Sequence, residues 1–255
     1  MPEYAIEVNR VIKEFRVYHR TYANIKSKVT AMAKGLIRKE NHTGFELRRA
    51  LNDVSFKIEI GESVALIGSN GSGKSTLLSI LSRVYLPTEG EASIRGRMMS
   101  LLELGAGFHH ELTGNENIFF NGAMLGLTEE YIAAHYESIL DFAGLDPQAM
   151  DLPVRMYSSG MQLRLAFAMA VHLDAEVLLL DEGLAVGDEG FQEKCFKKIE
   201  EFKTQGRTIL MVTHELDHVE RLAERVIWIE KGNLRMDGDV TTVLAAYRAS
   251  IALAV

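Results

Sequence analysis

The chain has 255 residues, of which 47% are hydrophobic and 25% charged, the proportions of a soluble globular protein with enough apolar material for a sizeable core. A formal charge of −7 argues against a nucleic-acid protein held by bulk charge, and the single Cys195 excludes an internal disulfide and fits a reducing compartment as a bystander thiol. No apolar run approaches the roughly 18–20 residues that span a bilayer, and M-P-E-Y-A-I-E-V at the start lacks the regions of a signal peptide, so the expectation is a cytosolic protein that can still serve a membrane.

In chain order, alternation in residues 5–11 and 51–60 predicts two half-buried strands, with Gly61-Glu62 as the turn after the second. The long connection between them is basic: residues 16–49 hold nine Lys/Arg and two Glu, a net +7 on an acidic protein. Within it Ile25, Val29, Met32 and Leu36 recur at helical spacing, which predicts a short basic amphipathic helix, packed on its own domain or at an interface. V-A-L-I at 64–67 predicts a buried strand and 75–84 a helix, broken by P-T-E-G at 87–90. Asn115–Leu173 has helical periodicity, with Thr128 capping the segment to Ala143. Residues 177–181 and 208–214 predict further buried strands with a helix between them. Residues 226–238 predict a hairpin with Gly232-Asn233 at its turn, then a last helix. Trp228 is expected in the core, and His109, His110 and His172 are expected to serve packing or solvent contacts.

The alternation of strands and helices predicts an α/β fold with a mostly parallel sheet. The expected organisation is one domain, 1–255, with four parts: antiparallel β over 1–62 carrying the insertion 16–49, an α/β core over 63–100 and 174–238, a helical part over 108–173, and a C-terminal helix over 239–255.

Three stretches carry chemistry. G-S-N-G-S-G-K-S-T, Gly68 to Thr76, fits G-x-x-x-x-G-K-[ST] between a strand and a helix. Gly68, Gly71 and Gly73 let backbone N–H groups of this loop, Ser69, Asn70 and Ser72 included, curl around phosphates. Lys74 adds charge at the β and γ oxygens, and Ser75 can ligate Mg²⁺. E-V-L-L-L-D-E at 176–182 ends a buried strand in two carboxylates. Asp181 can hold Mg²⁺, and Glu182 can act as general base toward water attacking the γ-phosphate. The third, Y-S-S-G-M-Q-L-R from Tyr157, opens a helix with Ser158 as an anion site.

That third stretch resembles the signature of ATP-binding cassette (ABC) proteins, usually L-S-G-G-Q. Ser158, Gly160, Gln162 and Arg164 remain, whereas Tyr157, Ser159 and Met161 depart from it. The resemblance implies a head-to-tail homodimer, each ATP lying between one P-loop and the partner's Ser158, Ser159 and Gly160. It also implies His214 as the switch histidine at the γ-phosphate, Asp188 as the D-loop aspartate, and an aromatic on adenine, with Phe15 preferred over Tyr18 and Phe45. The family's Q-loop glutamine aligns with Leu104, which leaves Glu103 as the neighbouring polar side chain and a candidate Mg²⁺ contact. L-L-E-L-G-A-G-F-H-H-E-L-T-G-N-E-N-I, Y-S-S-G-M and A-V-G-D-E-G-F-Q-E-K-C together resemble the ATPase subunits of bacterial polysaccharide exporters of O-antigen, capsule or teichoic acid. This implies two copies of a polytopic membrane permease, a lipid-linked polysaccharide cargo, no nucleic acid, and a peripheral place on the cytoplasmic face of the inner membrane. In that setting the basic insertion is expected to face anionic lipid or the cargo's pyrophosphate. The alternative is a soluble ABC ATPase of DNA repair or translation. Repair members carry a long coiled coil where this chain has about 85 residues, and translation members carry two cassettes where it has one.

Overall fold

The computed structural model describes residues 3–18, 45–101, 107–181 and 188–252. Its strands are β1 (Tyr4–Tyr18), β2 (Phe45–Glu59), β3 (Ser63–Ile67), β4 (Glu89–Ile94), β5 (Met98–Ser100), β6 (Val177–Leu180), β7 (Thr208–Val212), β8 (Arg225–Glu230) and β9 (Asn233–Asp239). The helices are α1 (Lys74–Leu81), α2 (Gly114–Met124), α3 (Glu129–Ala143), α4 (Pro147–Met150), α5 (Ser159–Ala170), α6 (Glu189–Thr204), α7 (Leu216–Leu222) and α8 (Val240–Ala252), with a 3₁₀ turn at Val154–Met156.

Two sheets form, one antiparallel in the order β2-β1-β4, the other in the order β5-β6-β7-β3-β8-β9. In the larger sheet β5 to β8 run parallel and only β9 is antiparallel, as an α/β reading requires. β3, β6 and β7 are buried at every position, and the strict alternation of their side chains divides them between two cores. Ala65, Ile67, Leu178, Leu180, Ile209 and Met211 face α5, α6, α7 and α8. Val64, Leu66, Val177, Leu179, Leu210 and Val212 face α1 and the antiparallel sheet. A third cluster, with Ile118, Ile139, Val154, Tyr157 and Leu165, fills the helical part, and α5 belongs to two cores at once: Leu165, Ala168 and Met169 point into this cluster, Phe167, Ala170 and Val171 toward the sheet.

Several details differ from the sequence expectation. β1 and β2 run on to Tyr18 and back from Phe45, well beyond residues 5–11 and 51–60. Their outer halves lie off the core, so no apolar alternation marks them. Cross-strand polar contacts hold the pairing there: Arg49 with Glu14 at 2.7 Å, and the Arg16 guanidinium 5.1 Å from the Phe45 ring centroid. The helix expected to reach residue 84 ends at Leu81, because Arg83 takes a left-handed φ of 61°. The terminal hairpin turns at Lys231-Gly232 instead of Gly232-Asn233, since Glu230 pairs with Asn233 and both central residues have positive φ, 47° and 79°. Thr128 does cap α3, its hydroxyl accepting from Tyr131 N–H, and Trp228 is core at 4% exposure. His172 is a packing histidine, contacting the Ala168 carbonyl and the Ser138 hydroxyl. The predicted basic helix at 25–36, like Glu103, Leu104 and Glu182, lies outside the described residues.

Candidate active site

The P-loop connects β3 to α1 and is gripped from behind. Gly232 N–H donates to the Ser72 carbonyl at 2.8 Å, and Asn52 N–H donates to the Gly232 carbonyl at 2.7 Å, so β2, the loop and the β8–β9 turn form one seam. The approach is close enough that a Cβ at Gly68 would fall 2.1 Å from the Ile229 carbonyl oxygen. One at Gly73, whose φ is 112°, would fall 2.7 Å from that of Ala50. Lys74 is 5% exposed, and its Nζ donates to the Gly68 carbonyl at 2.7 Å and to that of Ser69 at 3.2 Å.

The loop's chemistry suits an anion. Thr113, Thr128, Ser158 and Asp188 each cap a helix with a side chain, whereas α1 begins at Gly73 with no side-chain cap. The start of α1 therefore lacks a side-chain cap, and the positive end of its dipole beside a buried ammonium suits an anion. In front of the loop opens a cleft of about 630 Å³, lined by Asn70, Lys74, Ser75, Thr76, Phe15 and Lys231 among others. Phe15, which lines it, is edge-on to Tyr85 with ring centroids 5.5 Å apart. Phe45 is 44% exposed and does not line the cleft.

Asp181 follows β6 and His214 follows β7 by one residue, Thr213. β6, β7 and β3 are consecutive parallel neighbours, so their carboxyl ends bring Asp181, His214 and the P-loop to one edge of the sheet. Ser75 and Asp181 offer a hydroxyl and a carboxylate, the hard oxygen donors that suit Mg²⁺.

The signature stretch sits elsewhere. Ser158 caps α5, its hydroxyl accepting from Met161 N–H at 3.2 Å, and Ser158 and Ser159 are exposed. None of Ser158, Ser159, Gly160 or Asp188 lines the cleft beside Lys74. The departure at Tyr157 is a packing device. Its ring is buried, its hydroxyl donates to the Ala149 carbonyl at 2.8 Å, and burial pushes its pKa up to about 12. Gly114 makes the room, since a Cβ there would lie 2.0 Å from the Tyr157 hydroxyl. Met161 packs onto the same cluster. At Gly160, by contrast, a Cβ would meet nothing closer among the described residues than the Ser158 hydroxyl at 3.9 Å.

Asp188 caps α6 by accepting from Phe191 N–H at 2.9 Å and forms an ion pair with Arg164 of α5. The Phe191 N–H first, and Arg164 second among the groups that lower it, hold the carboxyl of Asp188 below the ordinary carboxylate range. The signature helix and the aspartate after residues 182–187 are thereby tied within one chain. Arg164→Gln should leave ATP binding at the P-loop unchanged and slow turnover about ten-fold, as loss of a positioning group does. Parallel measurement of nucleotide affinity and kcat checks this, and an unchanged kcat refutes it.

The sequence reading missed Asn117, which is fully buried in α2. Its Oδ1 accepts from His109 N–H at 2.8 Å, and its Nδ2 donates to the carbonyls of His109, Leu112 and Thr113 at 3.1, 3.0 and 2.8 Å. The amide thus shapes the turn that follows residues 102–106. Its signal was present: an amide in the turn of helix after the Thr113 cap, beside the apolar Ile118. Asn117→Ala leaves His109 N–H without its acceptor and removes one of two donors from each of the three carbonyls, and should cost about 2–4 kcal/mol, read as a melting temperature lower by roughly 5–12 °C.

Comparison with known proteins gives the family. The model of the ABC transporter family matches residues 51–185. The O-antigen export system ATP-binding protein RfbB of Myxococcus xanthus is 44% identical over the whole chain, which spans 58% of that relative's length. The protein of the same name from Klebsiella pneumoniae is 42% identical over 98% of this chain and 100% of its own. The teichoic acids export ATP-binding protein TagH of Bacillus cereus is 38% identical over 96% of the chain, which spans 43% of it. Among solved structures, a dimeric ATP-binding cassette in a post-hydrolysis state bound to ADP and Pi matches with a TM-score of 0.71 at 22% identity, covering 92% of this chain and 98% of that one, a likeness of fold. With its P-loop, its Ser158 helix and a family match over more than half its length, the chain belongs to the ABC transporter family, as an ATP-hydrolysing cassette.

Proposed function

We propose that this cassette powers export of a lipid-linked polysaccharide, of O-antigen, capsule or teichoic-acid type, across the cytoplasmic membrane. The observation that carries the reading is 42% identity along the full length of an O-antigen export ATP-binding protein. Two protomers pair head to tail, and each nucleotide lies between one P-loop and the partner's Ser158 helix. Support comes from the separation of Ser158, Ser159, Gly160 and Asp188 from the cleft. No described helix is long and apolar enough to cross a membrane, so the reading needs a polytopic permease in two copies, with the cassette peripheral on its cytoplasmic face.

Within each site Phe15 stacks on adenine, and the N–H groups from Gly68 to Thr76 with Lys74 hold the phosphate tail. Ser75 and Asp181, with Glu103 as a further candidate, would hold Mg²⁺, which supplies charge neutralisation at the β and γ oxygens. Glu182 takes the proton of the attacking water, and His214 contacts the γ-phosphate. Closure on ATP and reopening after phosphate release would move the permease helices.

The test is co-purification and reconstitution. The cassette should isolate with a polytopic membrane protein, and its hydrolysis should rise when the two are joined in vesicles carrying lipid-linked glycan. Isolation with ribosomes or DNA and with no membrane protein would overturn the export reading while leaving the ATPase intact.

A further inference from the structure

We infer that Lys231 binds the phosphate tail of the nucleotide, as a second cation beside Lys74 supplied by the terminal hairpin. The inference rests on the cleft being the nucleotide site. Lys231 occupies the first central position of a two-residue turn, with φ of 47°, and Gly232 follows at 79°. A turn of this shape favours Asn or Asp at the first position, because side chains with a branched or long stem are strained at positive φ. Arg10 and Arg83 take similar φ of 50° and 61°, so the conformation alone gives Lys231 no role; what sets it apart is where its side chain stands.

The turn cannot drift. Gly232 N–H holds the Ser72 carbonyl at 2.8 Å, Asn52 N–H holds the Gly232 carbonyl at 2.7 Å, and the Asn233 side chain donates to the Lys231 carbonyl at 3.0 Å. Lys231 itself is exposed and lines the same cleft as Lys74, Ser75 and Thr76. Its turn is fastened to the P-loop through Ser72 and to β2 through Asn52, so its side chain is held at the wall of the cleft that Lys74, Ser75 and Thr76 also line.

Its charge is available. The preceding Glu230 faces Arg235 at 3.8 Å, and Lys231 forms no ion pair among the described residues. Arg49, which also borders the cleft, is taken up by Glu14 and by the Asn52 side chain. Arg48 pairs across the strands with Phe15 and so belongs to the base end. Lys231 is then the cation of this wall best placed to meet oxygens of the triphosphate.

Lys231→Asn separates charge from folding, since Asn suits the turn better than Lys. The melting temperature without nucleotide should hold or rise. Affinity for ATP, titrated calorimetrically at low salt, should fall about three- to ten-fold, and the difference should shrink at high salt. GTP should lose as much as ATP and AMP less, while Lys231→Arg should stay within about two-fold of wild type. Equal ATP affinity in wild type and Lys231→Asn at low salt would overturn the inference, as would a loss confined to ATP and absent with GTP. Failure of the wild-type protein to bind ATP would instead sink the nucleotide site itself.

Discussion

Replacing Glu182 by Gln should lower ATP turnover by about 10²–10⁴ while nucleotide binding survives. In the sequence the residue directly follows Asp181, and Asp181 stands at the carboxyl edge of the sheet with the P-loop and His214. Gln keeps the size and polarity of Glu but cannot accept a proton from water, so only the chemical step is lost. In the proposed cycle closure precedes that step, and the variant should therefore accumulate as an ATP-bound pair of protomers. Light scattering would show the doubled mass with ATP and not with ADP. Hydrolysis near the wild-type rate would show that another group accepts the proton.

Lys74→Ala should abolish most of the nucleotide affinity, by about 10–100-fold, the share of one or two charge-assisted hydrogen bonds. Two opposite effects make the result diagnostic. The ammonium lies at the positive end of α1, an unfavourable place for a cation, and this offsets the loss of its bonds to the Gly68 and Ser69 carbonyls, so its removal should cost the nucleotide-free protein at most about 1–2 kcal/mol. The rise in melting temperature on adding ATP should nevertheless disappear, because that rise depends on the ratio of ligand concentration to Kd. Lys74→Arg should not rescue, since a side chain 5% exposed between the Gly68 and Ser69 carbonyls leaves no space for a planar guanidinium. A nucleotide-free protein that melts much earlier would instead assign Lys74 a structural part.

What could be read from the residues followed what the physics makes periodic or obligatory. A loop that wraps phosphate needs glycines and a lysine at fixed spacing, and a strand buried on both sides needs an unbroken apolar run, so 68–76, 177–181 and 208–214 were legible. The outer halves of β1 and β2 were not, because ion pairs and a guanidinium over a ring hold them and leave no repeating pattern. Tyr157 looked like a loss from the signature, yet it is a core residue whose room is provided by Gly114, 43 positions earlier in the chain. Contacts across such separations have no local mark. The hairpin turn was displaced by one residue because Gly232-Asn233 is a good turn dipeptide, whereas the register of β8 on β9 puts Asn233 back into the strand.

The double allegiance of α5 has a consequence for anyone who would divide this protein. A fragment cut at residues 107–173 would carry Phe167, Ala170 and Val171 bare to water, and the remainder would have an open gash against Phe191 and Leu178. Neither piece should remain soluble alone, and an inserted reporter would be tolerated at surface turns such as Gly126 but not along this shared spine.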